Sequence, residues 1–197
     1  SRVRSMERHL LTAARAEELL QAADLSACAQ LLSGLGYDPI RDEATLQESL
    51  KRQREAVFTD IAKSMPEPAL LDVFRLKYDY HNIKTLLKDP DGGQRFLMDG
   101  GCISPVEMAQ KYGESGDWKF LPPEMTAAAE QAAAVLAETG NAQRSDCVLD
   151  RAYFAQLRQL AEKSGCAYLQ AYIRAMTDAA NLRSLVRTAR LHTDPGF

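Results

Sequence analysis

The chain has 197 residues, of which 46% are apolar and 26% are charged. This balance is typical of a globular protein with a buried core, and 11 glycines and 8 prolines are too few for collagen-like or low-complexity sequence. A net charge of -3 does not favour a protein that binds nucleic acid or an anionic membrane surface.

Apolar residues recur at helical spacing along most of the chain. In chain order, we predict helices from Met6 onward, over residues 25–32, from Asp42 to Pro66, over 69–88, from Ser104, and over 124–140, 146–163 and 167–192. The segment from Gly113 to Pro123 is predicted to be irregular, and no run alternates with the period of a strand. The fold class is therefore all-α, with seven to nine helices and short connections.

Two helix ends carry clear capping signals. Ser104, Pro105 and Glu107 suit the N-cap, the first helical position and the third position of one helix. Gly165 suits the C-terminal cap of the helix over residues 146–163.

The residues that bind metals or form disulfides are scattered. The cysteines are Cys28, Cys102, Cys147 and Cys166, and the histidines are His9, His81 and His192. Their spacing matches no zinc or disulfide pattern, and the sequence contains no phosphate-binding glycine loop. We expect no cofactor and no metal, free thiols, and neither a membrane span nor a signal peptide.

One stretch of charges could suggest a nucleic-acid surface. Lys51, Arg52, Arg54 and Glu55 lie between the apolar positions of one predicted helix. A solvated helix face explains this run better than a nucleic-acid site, so we expect no nucleic-acid partner.

Two predicted helices share a sequence pattern. Residues 74–88 and 173–187 both read Arg-x-x-x-Asp-x-x-Asn-apolar-basic, with a constant offset of 99 residues. The matched positions are Arg75 and Arg174, Asp79 and Asp178, and Asn82 and Asn181. An internal repeat of this length predicts two related helical lobes, residues 1–99 and 100–197.

Asp and Asn are poor residues for the middle of a helix, because their side chains compete for main-chain hydrogen bonds. Their presence twice indicates compensating contacts, so we expect both pairs to bond a neighbouring helix or loop of their own lobe. Arg75 and Arg174 could neutralise the two carboxylates. A catalytic or metal-binding role would need a converging partner, and His81 lies on roughly the opposite helix face from Asp79.

The segment from Asp79 to Lys88, DYHNIKTLLK, closely resembles the D-Y-H-N-L-K-x-L-L-K signature of the C subunit of the V-type and A-type rotary ATPases, whose eukaryotic counterpart is the d subunit. Residues 149–154, LDRAYF, resemble the L-D-x-x-Y-F that precedes that family's second signature helix. The opening RVRSME also resembles the family's first helix, so the resemblance spans nearly the whole chain.

The resemblance implies three similar helical lobes arranged as a funnel. Only two signature helices occur here, so a third lobe is expected to be absent. We expect a C-terminally truncated fragment, or else a naturally shortened homologue, and the faces left uncovered should favour self-association.

The resemblance also implies a non-catalytic central-stalk part that joins the D and F subunits of the shaft to the membrane proteolipid ring. It would couple rotation to proton or sodium transport at the cytoplasmic side of the membrane, without spanning it. Candidate partner contacts are the basic positions of the two signature helices, Lys84, Lys88, Arg183 and Arg187, and solvated surface charges are the simpler interpretation of each. The alternatives are an unrelated helical enzyme or a helical protein-interaction scaffold.

Overall fold

The computed structural model describes residues 2–7, 10–65 and 67–191, and all statements below refer to them. These residues form no strand, which confirms the all-α class. The α-helices are α1 (Arg2–Glu7), α2 (Ala13–Leu20), α3 (Leu25–Ser33), α4 (Glu43–Ala62), α5 (Asp72–Lys88), α6 (Pro105–Ser115), α7 (Pro123–Thr139), α8 (Ala142–Lys163) and α9 (Ala167–Leu191). Single 3-10 turns cover Pro68–Leu71 and Gly93–Phe96.

The chain divides into two compact units, Ser1–Ile61 and Ala62–Phe197. This division differs from the predicted lobes, because the boundary expected at residues 99 and 100 lies inside the second unit. The reason is that α5 packs against α8, on the far side of that boundary.

The first unit is held by caps and by short polar contacts. Thr12 and Asp24 accept hydrogen bonds from the first turns of α2 and α3. On α4, Gln53 donates to the main-chain oxygen of Gly36 at 2.7 Å, and Arg52 pairs with Asp38 at 3.3 Å. These bonds tie α4 to the turn that precedes it.

The core of the second unit forms around α5. This helix packs against α6 and α8, and α8 packs in turn against α7 and α9. The core side chains that are at most 1% exposed are Ile83, Leu86, Met108, Ala129, Ala132, Leu149, Leu157 and Ala161. Since these residues come from four helices, the core connects segments that are far apart in sequence.

Helices α7 and α8 form a close pair joined by two residues. Gly140, with φ at 61°, ends α7 in the left-handed conformation, and Asn141 caps α8 by accepting from the amides of Gln143 and Arg144. This cap explains why α8 begins at Ala142 and not at residue 146 as predicted. Buried Ser145 then donates to the main-chain oxygen of Ala132 at 2.9 Å.

Other helix ends follow the predictions in part. The helix predicted from Met6 onward is divided, because Thr12 caps a separate helix α2, and α4 ends at Ala62, before the predicted end at Pro66. Ser104 caps α6, and Gly165 follows α8 with φ at 63°. Helix α6 continues through Gly113 to Ser115, so the irregular segment starts later than expected, at Gly116 with φ at 67°. The predictions that involve His9, Pro66 and His192 concern residues that lie outside the described part of the chain.

Candidate functional site: two Asp-Asn helix motifs

The first motif holds a segment of main chain, residues 96–103, which we call the docked segment. Asp79 is fully buried in the middle of α5. Its Oδ2 accepts from the amide of Cys102 at 2.9 Å, and its Oδ1 accepts from the amide of Ile103 at 3.0 Å. Each carboxylate oxygen therefore satisfies a separate main-chain donor, as expected for a structural aspartate.

Asn82, about one turn further along α5, binds the same segment. Its Nδ2 donates to the main-chain oxygen of Met98 at 2.9 Å, and its Oδ1 accepts from the amide of Met98 at 2.8 Å. The fully buried side chain pairs with both main-chain groups of one residue, as a neighbouring strand would. The expectation that Asp79 and Asn82 bond a loop is confirmed, but Cys102 and Ile103 lie outside the predicted lobe of residues 1–99.

His81 also contacts the docked segment, which the sequence did not indicate. Its Nε2 lies 3.1 Å from the main-chain oxygen of Phe96. A carbonyl oxygen can only accept, so this nitrogen carries the proton in that bond. Asp79, His81 and Asn82 thus anchor the docked segment at both ends and near its middle.

Two glycines allow the docked segment to approach α5. Gly100 has φ at 101°, a conformation that side chains with a Cβ rarely adopt. A Cβ placed on Gly101 would clash with Oδ1 of Asp79. The pair of glycines is therefore the sequence signal that could have located the docked segment.

Burial raises the pKa of Asp79 above its ordinary value of 3.8. The main-chain hydrogen bonds from Cys102 and Ile103 act in the opposite direction, and the negative charge of Asp72 adds to the increase. No group of three or more His, Cys, Asp or Glu side chains within the described ranges could hold a metal ion.

The remaining polar residues of the signature join α5 to α8. Lys84 pairs with Asp150 at 2.6 Å, and Lys88 pairs with Asp146 at 3.0 Å. The hydroxyl of Tyr80 donates to Oε1 of Gln156 at 3.0 Å. Two of the four candidate partner contacts, Lys84 and Lys88, therefore make ion pairs within the chain.

Tyr80 lies in the core between α5 and α8. Its ring meets that of Tyr153 edge to face, with centroids 5.6 Å apart. Burial raises the pKa of Tyr80 to about 12, with a smaller contribution from the charge of Glu124. The hydroxyl is thus a neutral hydrogen-bond donor at physiological pH.

The second motif has different surroundings. Arg174, Asp178 and Asn181 lie on α9, outside the buried core, and the side chains of Asp178 and Asn181 make no hydrogen bond to any described residue. The expectation that this pair also bonds a loop or helix of its own lobe is therefore wrong for the described residues. The physical reason is that no described segment covers this part of α9.

Two open grooves lie beside the second motif, where α9 faces α8. One, of about 370 Å³, is lined in part by Arg158, Arg174 and Asp178. The other, of about 800 Å³, is lined by Asn181 and by several basic residues. These basic residues are Arg151, Arg158, Arg183 and Arg187.

Fold and motifs together define an all-helical protein whose signature residues on α5 hold a loop and a neighbouring helix in place. The family model of the ATP synthase (C/AC39) subunit matches residues 1–196. The chain belongs to this family.

A curated relative agrees with this assignment. The chain is 24% identical to the C subunit of the V-type sodium ATPase of Enterococcus hirae over 202 aligned residues, which cover 99% of the chain and 61% of the relative. The chain thus spans about three fifths of the relative's length. No solved structure matches the chain at a significant level. None of the described helices is long and apolar enough to cross a membrane.

Proposed function

We propose that the chain is a non-catalytic part of the central stalk of a V-type or A-type rotary ATPase. The observation that carries this proposal is the family match over residues 1–196. In this role the protein joins the rotating shaft, made of the D and F subunits, to the membrane proteolipid ring on the cytoplasmic side. It transmits rotation that is coupled to proton or sodium transport, and it hydrolyses nothing itself.

The use of the signature residues on α5 supports a mechanical role. Asp79 and Asn82 hold the docked segment, and Lys84 and Lys88 hold α8. A part that transmits torque must resist deformation, and a close-packed interior braced by polar contacts transmits strain well. These four residues are thus engaged in contacts within the chain, as a mechanical part requires.

The basic groove beside α9 supports a contact with an acidic partner surface. Arg183 and Arg187 are exposed and line this groove together with Arg151 and Arg158. Complementary charges fix the register of an interface and speed its formation. We therefore propose Arg183 and Arg187 as contacts to the shaft, in preference to Lys84 and Lys88.

A binding experiment with the purified D and F subunits tests this function. The immobilised chain should retain the D–F pair, and the double substitution Arg183→Glu and Arg187→Glu should weaken retention, most strongly at low salt. Lys163→Glu reverses a charge on α8 outside both grooves and is the matched control. Failure of the unsubstituted chain to retain the D–F pair at low salt would contradict the proposed function.

A further inference from the structure

Matched positions of the two motif helices differ sharply in burial. Three apolar residues of α5 are hidden: Ile83, Leu86 and Leu87 are 0%, 1% and 8% exposed. Their counterparts 99 residues later, Leu182, Leu185 and Val186, are 62%, 61% and 47% exposed. The Asp and Asn residues of the two motifs differ in the same way. Asp79 and Asn82 are buried, whereas Asp178 and Asn181 are exposed.

The uncovered pair has the same hydrogen-bonding capacity as the buried one. An aspartate can accept two main-chain amides, and an asparagine can pair with both main-chain groups of one residue. Asp79 and Asn82 show that an Asp and an Asn three residues apart on a helix can make both kinds of hydrogen bond to one segment at the same time. The open groove beside Asp178 leaves room for a segment of chain and is not lined by Arg183 or Arg187, which belong to the other groove.

The spacing in the first motif indicates where such a segment would come from. The docked segment follows its own helix, with Asn82 bonding 16 residues ahead and Asp79 bonding 23 and 24 residues ahead. The same intervals from Asn181 and Asp178 lead to position 197, outside the described residues, and to positions 201 and 202, which the sequence of 197 residues does not contain. The relative from Enterococcus hirae is long enough to contain such positions, since the match covers 61% of it.

We propose that this face of α9 is a binding site for a main-chain segment that follows α9 in a longer form of the protein. Asp178 accepts two consecutive amides of that segment, and Asn181 pairs with the amide and carbonyl of one residue. Leu182 and Leu185 contact apolar side chains of the segment, as Leu97 and Ile103 of the docked segment pack against the core. A glycine precedes the two amides, for the reason that applies to Gly101.

The chain itself supplies a probe for this site. A copy of residues 95–104, with Cys102→Ser, is fused after Phe197 through a linker of about six Gly and Ser residues. Asn181 lies ten residues before the end of α9, or about 15 Å along the helix. Residues 192–197 and the linker can extend about 40 Å, so the fused copy reaches the site.

The fused segment should dock, because a short flexible tether gives it an effective concentration on the order of millimolar. Amide hydrogen exchange should slow roughly tenfold or more over residues 178–186, and the side-chain amide signals of Asn181 should shift in NMR spectra. The melting temperature should rise by a few degrees.

Substitutions decide whether the motif is responsible. Asp178→Ala and Asn181→Ala should each remove the added protection, whereas Arg190→Ala and a fusion with a scrambled segment serve as controls. Neither motif residue belongs to the buried core, so the unfused variants should melt like the unsubstituted chain, which separates lost docking from lost folding. The proposal is overturned if fusion does not slow amide exchange on α9, or if exchange is slowed equally in the fused Asp178→Ala and Asn181→Ala variants. No other ATPase subunit is needed, so the outcome is independent of the proposed function.

Discussion

Asp79 has two functions in the second unit, since one buried side chain satisfies two main-chain amides and fixes the position of the docked segment. Replacing it by alanine leaves the amides of Cys102 and Ile103 without their acceptor. An unsatisfied buried donor costs roughly 1–3 kcal/mol. We expect Asp79→Ala to lower the free energy of unfolding by at least this amount, as measured by urea denaturation.

The second motif provides the control for that experiment. Asp178 has the same place in the sequence pattern but lies outside the buried core, and surface substitutions usually change stability by no more than about 0.5 kcal/mol. Asp178→Ala should therefore be nearly neutral in this chain. An equal decrease in the free energy of unfolding for Asp79→Ala and Asp178→Ala would show that Asp178 is buried by a contact that the structure does not contain.

The raised pKa of Asp79 predicts a dependence on pH. The folded state keeps the proton of Asp79 to a higher pH than the unfolded chain does, so protonation favours folding. This contribution is full below 3.8, the ordinary pKa, and it is lost as the pH rises through the folded-state pKa. The stability of the chain relative to Asp79→Asn, which cannot titrate, should decrease over that range. A relative stability that increases with pH in urea titrations would contradict the raised pKa.

Gly101 and Gly113 form a matched pair for substitution by alanine. A Cβ on Gly101 would clash with Asp79, whereas a Cβ on Gly113 meets nothing within 4 Å. Gly113 lies within α6, where alanine is favoured over glycine by roughly 0.5–1 kcal/mol. We expect Gly101→Ala to lower the melting temperature and Gly113→Ala to raise it. Shifts in the same direction would show that the docked segment can move away from α5.

The sequence predicted the structural role of Asp79 and Asn82 because a poor helix former in mid-helix needs a compensating contact. It did not predict which segment they bind, because main-chain hydrogen bonds do not select the side chains of the bound residues, and the one available signal, the pair Gly100 and Gly101, does not by itself indicate α5 as the partner. It also predicted the same surroundings for Asp178 and Asn181. That expectation failed because burial depends on what covers a helix, and identical motifs can be covered differently.

Among the elements, the pairing of α7 with α8 depends on small side chains. Ala129 and Ala132 are fully buried, and Ser145 of α8 bonds the main chain of α7 directly. Ala132→Leu should therefore cost roughly 1–3 kcal/mol through overpacking. Ala127, on the same helix, is exposed, and Ala127→Leu is the matched control with little expected effect. Similar urea midpoints for the two variants would contradict close packing of this pair.

Helix positions followed from apolar spacing, but several of the ends did not. Gly140 and Asn141 are typical of a helix end, and Asn141 also begins α8, so one polar residue marks both boundaries. Gly113 suggested an early end for α6, yet a single glycine in a helix is tolerated at a cost of about 1 kcal/mol. Local signals of this kind are outweighed by the packing of the rest of the helix.

For the whole molecule, the exposed apolar side chains of α9 predict self-association. Leu182, Leu185 and Val186 follow one another within about one helical turn and are exposed, and exposed apolar patches favour association. Light scattering should show species larger than one chain at high concentration, and Leu185→Glu should reduce them. Phe96→Glu changes an exposed apolar residue outside α9 and is the control. A strictly monomeric chain at every concentration would contradict this prediction.

The lobes of the molecule could not be predicted from the repeat alone. The offset of 99 residues placed a boundary near residue 99, but the docked segment crosses that point and α5 packs against α8 beyond it. A sequence repeat shows which residues correspond to one another. It does not show which copies share a core.

The short sequence distance between α5 and its docked segment has a consequence for the order of folding. The bonds from Asn82 and Asp79 close loops of 16 to 24 residues, whereas Lys84 and Tyr80 reach partners 66 and 76 residues away. Closing a short loop costs less chain entropy and happens sooner than closing a long one. The docked segment should therefore bind α5 before α8 packs against it, so that α8 packs on a surface that has already folded.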